Sequence, residues 1–243
     1  MKKILLYSLA LMLTSSWLFG QTPDGNLKDL YSVNQLANLN PKSTGFPTFS
    51  NVNRVKGSPY LFEEWRQGQI QARGGNMLGE QLNLAVDLDN HVLYAQLNED
   101  KYGDIPIEKI QMFTLTDDNK TYWFEVHDLS REFGIGPRGM KYYEVLHNGP
   151  NYLVLHYHDK YLRKESHVEN LGMVRRPDKF MSLHEYYVYN GKKLIQVKKS
   201  SKSLRNALPK EAKTIKKLIK KHDLKVKKED DFVKLFILLD EGT

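Results

Sequence analysis

Residues 185–197 read EYYVYNGKKLIQV. Two runs rich in Tyr, Val and Ile flank Asn190-Gly191, and both of those residues tolerate positive φ. The stretch therefore predicts a β-hairpin closed by a two-residue type I′ turn. The same pattern recurs upstream. Lys141–His147 and Tyr152–His158 flank Asn148-Gly149-Pro150, and Ile110–Thr116 and Thr121–His127 flank Asp117-Asp118-Asn119-Lys120. In Gln81–Asp87, Leu82, Leu84 and Val86 fall on one face while Asn83 and Ala85 take the other, the period of a half-buried strand. Asp87, Asp89 and Asn90 then turn the chain into His91–Leu97, and Gln69–Arg73 leads into the turn-forming GGNMLGE. Short, regularly spaced strands without intervening helices predict a mainly β fold over residues 56–197, an antiparallel β-sandwich or open barrel.

Two stretches interrupt this pattern. HDLSREFGIGPRGM (127–140) carries three glycines and a proline and reads as a long connecting loop, and Glu169–Lys179 is irregular too. Long loops on a rigid sheet are where binding residues concentrate.

From Lys198 the apolar period becomes helical. Pro209 suits a first helical turn, and Ala212, Ile215, Leu218 and Ile219 form an apolar stripe opposite Lys213, Lys216, Lys217, Lys220 and Lys221. A second helix is expected to start near Glu229-Asp230-Asp231, whose charge suits a helix N-terminus, with Phe232, Leu235, Phe236 and Leu239 as its apolar face. The basic tail, residues 198–243, is thus a short α-helical hairpin. Its apolar faces must pair with each other, with the β domain or with a partner.

At the other end, Lys2 and Lys3 precede an uncharged, mostly apolar run from Ile4 to Phe19, and Gly20 comes just before Gln21. That is the layout of a secretory signal peptide over residues 1–20, with cleavage near Gln21 and a periplasmic or secreted location. The run is shorter than the roughly 20 residues that span a bilayer, and no later stretch is apolar enough to do so. An uncleaved N-terminal anchor is the competing reading, because Leu18 stands where a small residue is preferred. Residues 21–55, rich in Asn, Ser, Thr, Gly and Pro, read as an extended or partly disordered lead-in with one short helical turn near Leu30–Leu39.

Cysteine is absent, which excludes disulfides, a thiol nucleophile, thiolate metal ligands and a lipidated N-terminus. Charge is unevenly placed. Residues 21–191 hold 18 Lys and Arg against 22 Asp and Glu, whereas 192–243 hold 16 against 7. A Lys-rich tail on a mildly acidic body is suited to an anionic surface or an acidic envelope protein, and nucleic acid is not expected in an exported setting. The plain alternative is a solvated basic helix face without a partner.

The most suggestive chemistry lies in HYHDKYLRKESH (156–167). His156 and His158, two apart on a predicted strand, point to the same face. With Glu165 or His167 returning nearby, His156, His158 and His167 could supply a metal site of catalytic type. The alternative, and the favoured one, makes Tyr152, Val154, His156 and His158 a solvent-facing strand surface. Asp87-Leu88-Asp89-Asn90 lacks the spacing of a calcium loop and reads as turn chemistry. GIGPRG lacks the strand–loop–helix context of a phosphate loop, and neither a nucleophile elbow nor a His-Glu-x-x-His motif occurs. Strand aromatics such as Tyr142, Tyr143, Tyr186 and Tyr187 are expected to pack rather than to form a carbohydrate platform.

KGSPYLFEEW (56–65), followed by GQIQ, resembles the opening of the β domain in a set of uncharacterised exported Bacteroidota proteins. The ending, KKSSKSLRNALP and then LKVKKEDDFVKLF, is similar to theirs as well. The resemblance implies an exported β domain with a helical C-terminus and implies no activity. No cofactor is expected. The leading expectation is a non-enzymatic binding or accessory protein of the periplasm or envelope, and the alternative is a metal-dependent hydrolase using His156 and His158.

Overall fold

The computed structural model describes residues 42–43, 46–47, 55–75, 77–99, 101–118, 120–164 and 177–242. Among the described residues there are twelve strands: β1 (Lys42–Ser43), β2 (Val55–Lys56), β3 (Arg66–Ala72), β4 (Met77–Asp87), β5 (Val92–Asn98), β6 (Lys101–Ile105), β7 (Ile110–Asp117), β8 (Lys120–His127), β9 (Lys141–Asn148), β10 (Leu153–Arg163), β11 (Asp178–Tyr189) and β12 (Leu194–Val197). A short helix α1 (Leu129–Phe133) follows β8, and α2 (Ser201–Ala207), α3 (Ala212–Lys221) and α4 (Glu229–Glu241) end the chain. The fold is mainly β with C-terminal helices, as expected. The expected signal peptide, the cleavage point and the Leu30–Leu39 turn lie outside the described residues.

The strands form one sheet in the order β1-β6-β5-β4-β3-β7-β8-β9-β10-β11-β12, with β2 beside β11. Every pairing is antiparallel except β2 with β11, so the sheet is mixed, and no pairing among the described residues closes it. The link from β6 to β7 shows that it curls. Four strand steps separate these neighbours in sequence, roughly 19 Å across a flat sheet at about 4.8 Å per step. Only Pro106 and a 3₁₀ turn, Ile107–Lys109, join them. Such a turn rises only about 2 Å per residue, so a flat sheet is out of reach. Ile105 and Ile110 accordingly share one core with Leu84, Leu93, Phe113 and Phe124. Gly68 in β3 permits the tight packing behind that core, since a Cβ there would lie 1.9 Å from the Thr114 carbonyl oxygen.

The far half of the sheet is covered on both faces. On one, Tyr143, Leu155, Tyr157 and Tyr187 pack with Leu129 of α1. On the other, Val154, Tyr186 and Val188 meet the tail through Leu204, Ile215, Phe232, Leu235, Phe236 and Leu239. The four residues assigned to the apolar face of the last helix are all buried. A bulge where β9 meets β10 lets Leu146 join the tail core while His147 reaches α4. There His147 Nε2 donates to Asp240 Oδ2 at 2.6 Å, and the Asn151 amide donates to Asp240 Oδ1 at 3.0 Å.

Several local expectations are corrected. Asn190 does not adopt positive φ and only Gly191 does, at 76°. The loop runs through Lys193, because Asn190 Oδ1 accepts from the amides of both Lys192 and Lys193 and so organises a longer turn. The 127–140 segment is not all loop: Asp128 caps α1 by accepting from Arg131 N, and Gly134 ends it at φ 72°. Strand β6 had no clear sequence period, and the tail is not the expected two-helix hairpin, because α2 adds a third helix ahead of α3 and α4. Asp87 is a turn residue, its Oδ1 accepting from the amides of Asp89 and Asn90 at 2.9 Å. No helix among the described residues is long and apolar enough to cross a membrane.

Candidate functional site

Strand alternation puts Glu144 of β9, His156 and His158 of β10, and His184 and Tyr186 of β11 on the tail-facing side of the sheet. Register then brings them together: His156 sits opposite Glu144 and Tyr186, and His158 opposite His184. The tail adds Glu229, the first residue of α4. The cluster lies between the two apolar cores, with Phe124 near His158 on one side and Tyr186 against Phe232 on the other.

This overturns the solvent-facing reading of the strand. Tyr152, Val154 and His156 are buried, and Glu144 is only 3% exposed, because the tail helices cover this face. His158 is partly buried, while His184 is exposed and opens the cluster to solvent. Of the expected metal triad, His156 and His158 do meet, with ring centroids 3.7 Å apart, whereas His167 lies outside the described residues.

The polar geometry is well defined. His158 Nε2 donates to Glu144 Oε2 at 2.6 Å, and the Tyr186 hydroxyl donates to Glu229 Oε2 at 3.0 Å. His156 Nε2 and His184 Nδ1 share a proton at 3.1 Å. Nδ1 of His156 lies 3.2 Å from Glu229 Oε2 and 3.4 Å from Glu144 Oε2, yet neither contact has the direction of a hydrogen bond. The ring itself stacks on Tyr186 at 4.2 Å. Two cations complete the surround: Lys120 Nζ is 3.6 Å from Glu144 Oε1 and Lys199 Nζ is 3.7 Å from Glu229 Oε2.

These neighbours set the ionisation. Burial pushes Glu144 upward, but the imidazoles of His156 and His158 and the charge of Lys120 outweigh it and hold its carboxyl at about 2. Glu229 is likewise lowered to about 2, chiefly by His156. Burial opposes the charged form of His156, yet Glu144 and Glu229 together raise its pKa. His158 is lowered by burial, and His184 falls to about 4 through burial and its two histidine neighbours. The two carboxylates are thus favoured in their charged form, His156 is shifted towards its charged form by them, and His158 and His184 are shifted away from theirs.

Glu144, His184 and Glu229 were missed from sequence. Glu144 had a legible signal, since it alternates with Tyr142 and Leu146 on a strand face that should be apolar. His184 was not reachable, because the long link between β10 and β11 leaves their register open. Glu229 was read only as a helix-start charge. The other candidate site, Lys213, Lys216, Lys217, Lys220 and Lys221, forms an exposed row on α3, and none has a carboxylate within 4.0 Å among the described residues. A separate cleft of about 500 Å³ opens on the other side of the sheet beside Leu129, Phe133, Leu153 and Leu155, with His127 at its edge.

Compared with known proteins, the chain matches no family model, no curated protein and no solved structure.

Proposed function

We propose that the chain is an exported, non-enzymatic binding or accessory protein whose tail rests on an anionic lipid surface of the envelope. The carrying observation is the docking of α3. Ile215 is buried and Leu218 and Ile219 pack against the same core, so the five lysines opposite are held outward as a fixed array. A helix that had to insert its apolar face into lipid would first have to leave the sheet. Docked as it is, it offers charge alone. Lysines near such a surface contribute about 1 kcal/mol each at most, so five can hold the protein without any head-group-specific contact. The leader-like N-terminus and the resemblance to exported Bacteroidota proteins support the compartment, and in this reading the curled sheet is an open barrel.

Binding is favoured over hydrolysis by the burial of Glu144 and His156, which leaves little room for a substrate beside them. Sedimentation with vesicles of mixed zwitterionic and anionic phospholipid tests the proposal. Binding should be strong at low ionic strength and weaken sharply towards physiological salt, where the screening length falls to about 8 Å. It should also weaken when the five lysines are changed to Gln. Binding indifferent to salt and to those changes, or no binding at low salt, rejects the reading.

A further inference from the structure

We propose that Glu144, His156 and Glu229 form a binding site for one divalent transition-metal ion, with zinc the best match to the donor set, tying the C-terminal helix to the sheet. The three donor atoms lie within 4.8 Å of one another. In a tetrahedral zinc site, bonds near 2.0–2.1 Å place neighbouring ligand atoms about 3.3 Å apart. The two edges from His156 Nδ1, 3.2 and 3.4 Å, already match that spacing. The third edge, between the carboxylates, closes by rotation of Glu229, whose side chain is 27% exposed and so has room to turn.

Two further observations point at an ion. His156 Nδ1 is a buried polar atom with no hydrogen-bond partner, on a side chain only 4% exposed, and it faces two carboxylate oxygens off the axis a hydrogen bond needs. A buried nitrogen left this way costs free energy unless something else satisfies it. The surroundings also do what the outer partners of a metal site do. His184 Nδ1 stands 3.1 Å from His156 Nε2, so in the tautomer with the proton on Nε2 it would accept that proton and leave Nδ1 to ligate; His158 orients the Glu144 carboxylate, and Tyr186 orients that of Glu229. Two carboxylates balance the charge of a divalent ion. Lys120 and Lys199, the cations nearest them, swing aside on loading; the Lys120 side chain is 53% exposed.

Position gives the site its role. Glu144 and His156 stand on adjacent strands while Glu229 opens α4, so the ion would add a bond between two parts of the chain that otherwise meet through apolar packing and the hydrogen bonds of Tyr186 to Glu229 and of His147 and Asn151 to Asp240. This is a structural rather than a catalytic use of a metal. It differs from the His156, His158, His167 set by taking two carboxylates and one imidazole. It is independent of the lysine face, because none of the five lysines approaches a cluster carboxylate.

The test uses the untagged full chain, stripped with a chelator and titrated with zinc by competition against a chromophoric chelator. One ion per chain is expected, with X-ray absorption showing a nitrogen- and oxygen-only shell. Glu229→Gln keeps the side-chain shape and should weaken binding by at least tenfold. His184→Ala should weaken it about 10–100-fold as the loss of an outer partner. Zinc should raise the melting temperature of the parent and not that of Glu229→Gln. Absence of stoichiometric binding at micromolar zinc overturns the proposal. Binding that survives Glu229→Gln but is abolished by His184→Ala overturns it too, by assigning the ion to the three imidazoles of His156, His158 and His184.

Discussion

Replacing Phe236 by Ala measures whether the tail belongs to the fold. Phe236 is fully buried on α4, its ring edge-to-face with Tyr152, the residue just before β10, at 5.7 Å and with Phe232 at 5.3 Å. Truncating a buried Phe removes its transfer free energy and leaves a cavity, about 3–5 kcal/mol together. The two ring contacts, each worth about 0.5–1.5 kcal/mol beyond area, belong to that total and argue for its upper half. The Gly149 amide donates to the Tyr152 carbonyl at 2.9 Å and closes the turn before β10, which resists collapse of Tyr152 into the gap. Against a typical domain stability of about 5–15 kcal/mol, such a loss is a large fraction. Urea unfolding, followed by far-ultraviolet dichroism and tyrosine fluorescence, reads it as a shift of the midpoint. Ile237→Ala on the same helix is the control: that side chain is 42% exposed, so its truncation should cost about 0.5 kcal/mol or less. If the two variants unfold alike, or Phe236→Ala loses less than about 1 kcal/mol, the tail is not part of the core. Separate transitions for the tail and the sheet would refute the shared core equally well.

Changing both His156 and His158 to Ala should destabilise the protein by about 3–5 kcal/mol, since it strips the buried Glu144 carboxylate of its nearest partners. Adding Glu144→Gln should recover part of that loss, and an unchanged unfolding midpoint in the double variant would refute the burial argument. His127 offers a pH test away from the cluster. Its two ring nitrogens face Glu125 at 2.9 Å and Glu132 at 3.3 Å, and these carboxylates overcome burial to raise its pKa to about 9. Its contribution to stability is therefore fully present below the unfolded value of 6.5 and is lost as pH rises towards 9. Proton NMR titration should place the His127 midpoint well above neutrality, and Glu132→Gln should lower it; a midpoint near 6.5 would refute the pairing.

The strand runs were legible because a half-buried strand writes its period into local sequence, as Leu82, Leu84 and Val86 do. The tail was legible for the same reason at helical period, and Phe232, Leu235, Phe236 and Leu239 face the core together. Turns fared less well. Asn190-Gly191 promised a two-residue loop by backbone preference alone, and the competing hydrogen bonds of the Asn190 side chain made a longer one. The curl of the sheet was hidden too, since it follows from β7 returning to the far edge of β3.

By itself, then, the sequence determined most of the strands and the last two helices, the apolar faces of β4, α3 and α4, and that lysines stand opposite the apolar stripe of α3. These are properties of neighbours a few residues apart. Only the tertiary structure decided that His156 is buried and that Glu144, His184 and Glu229 surround it. The surface that buries it comes from a tail about 50–80 residues further on, and its partners come from three other elements. Strand register across long links and the docking of one element on another are set by the summed packing of the whole chain. No local period encodes that sum.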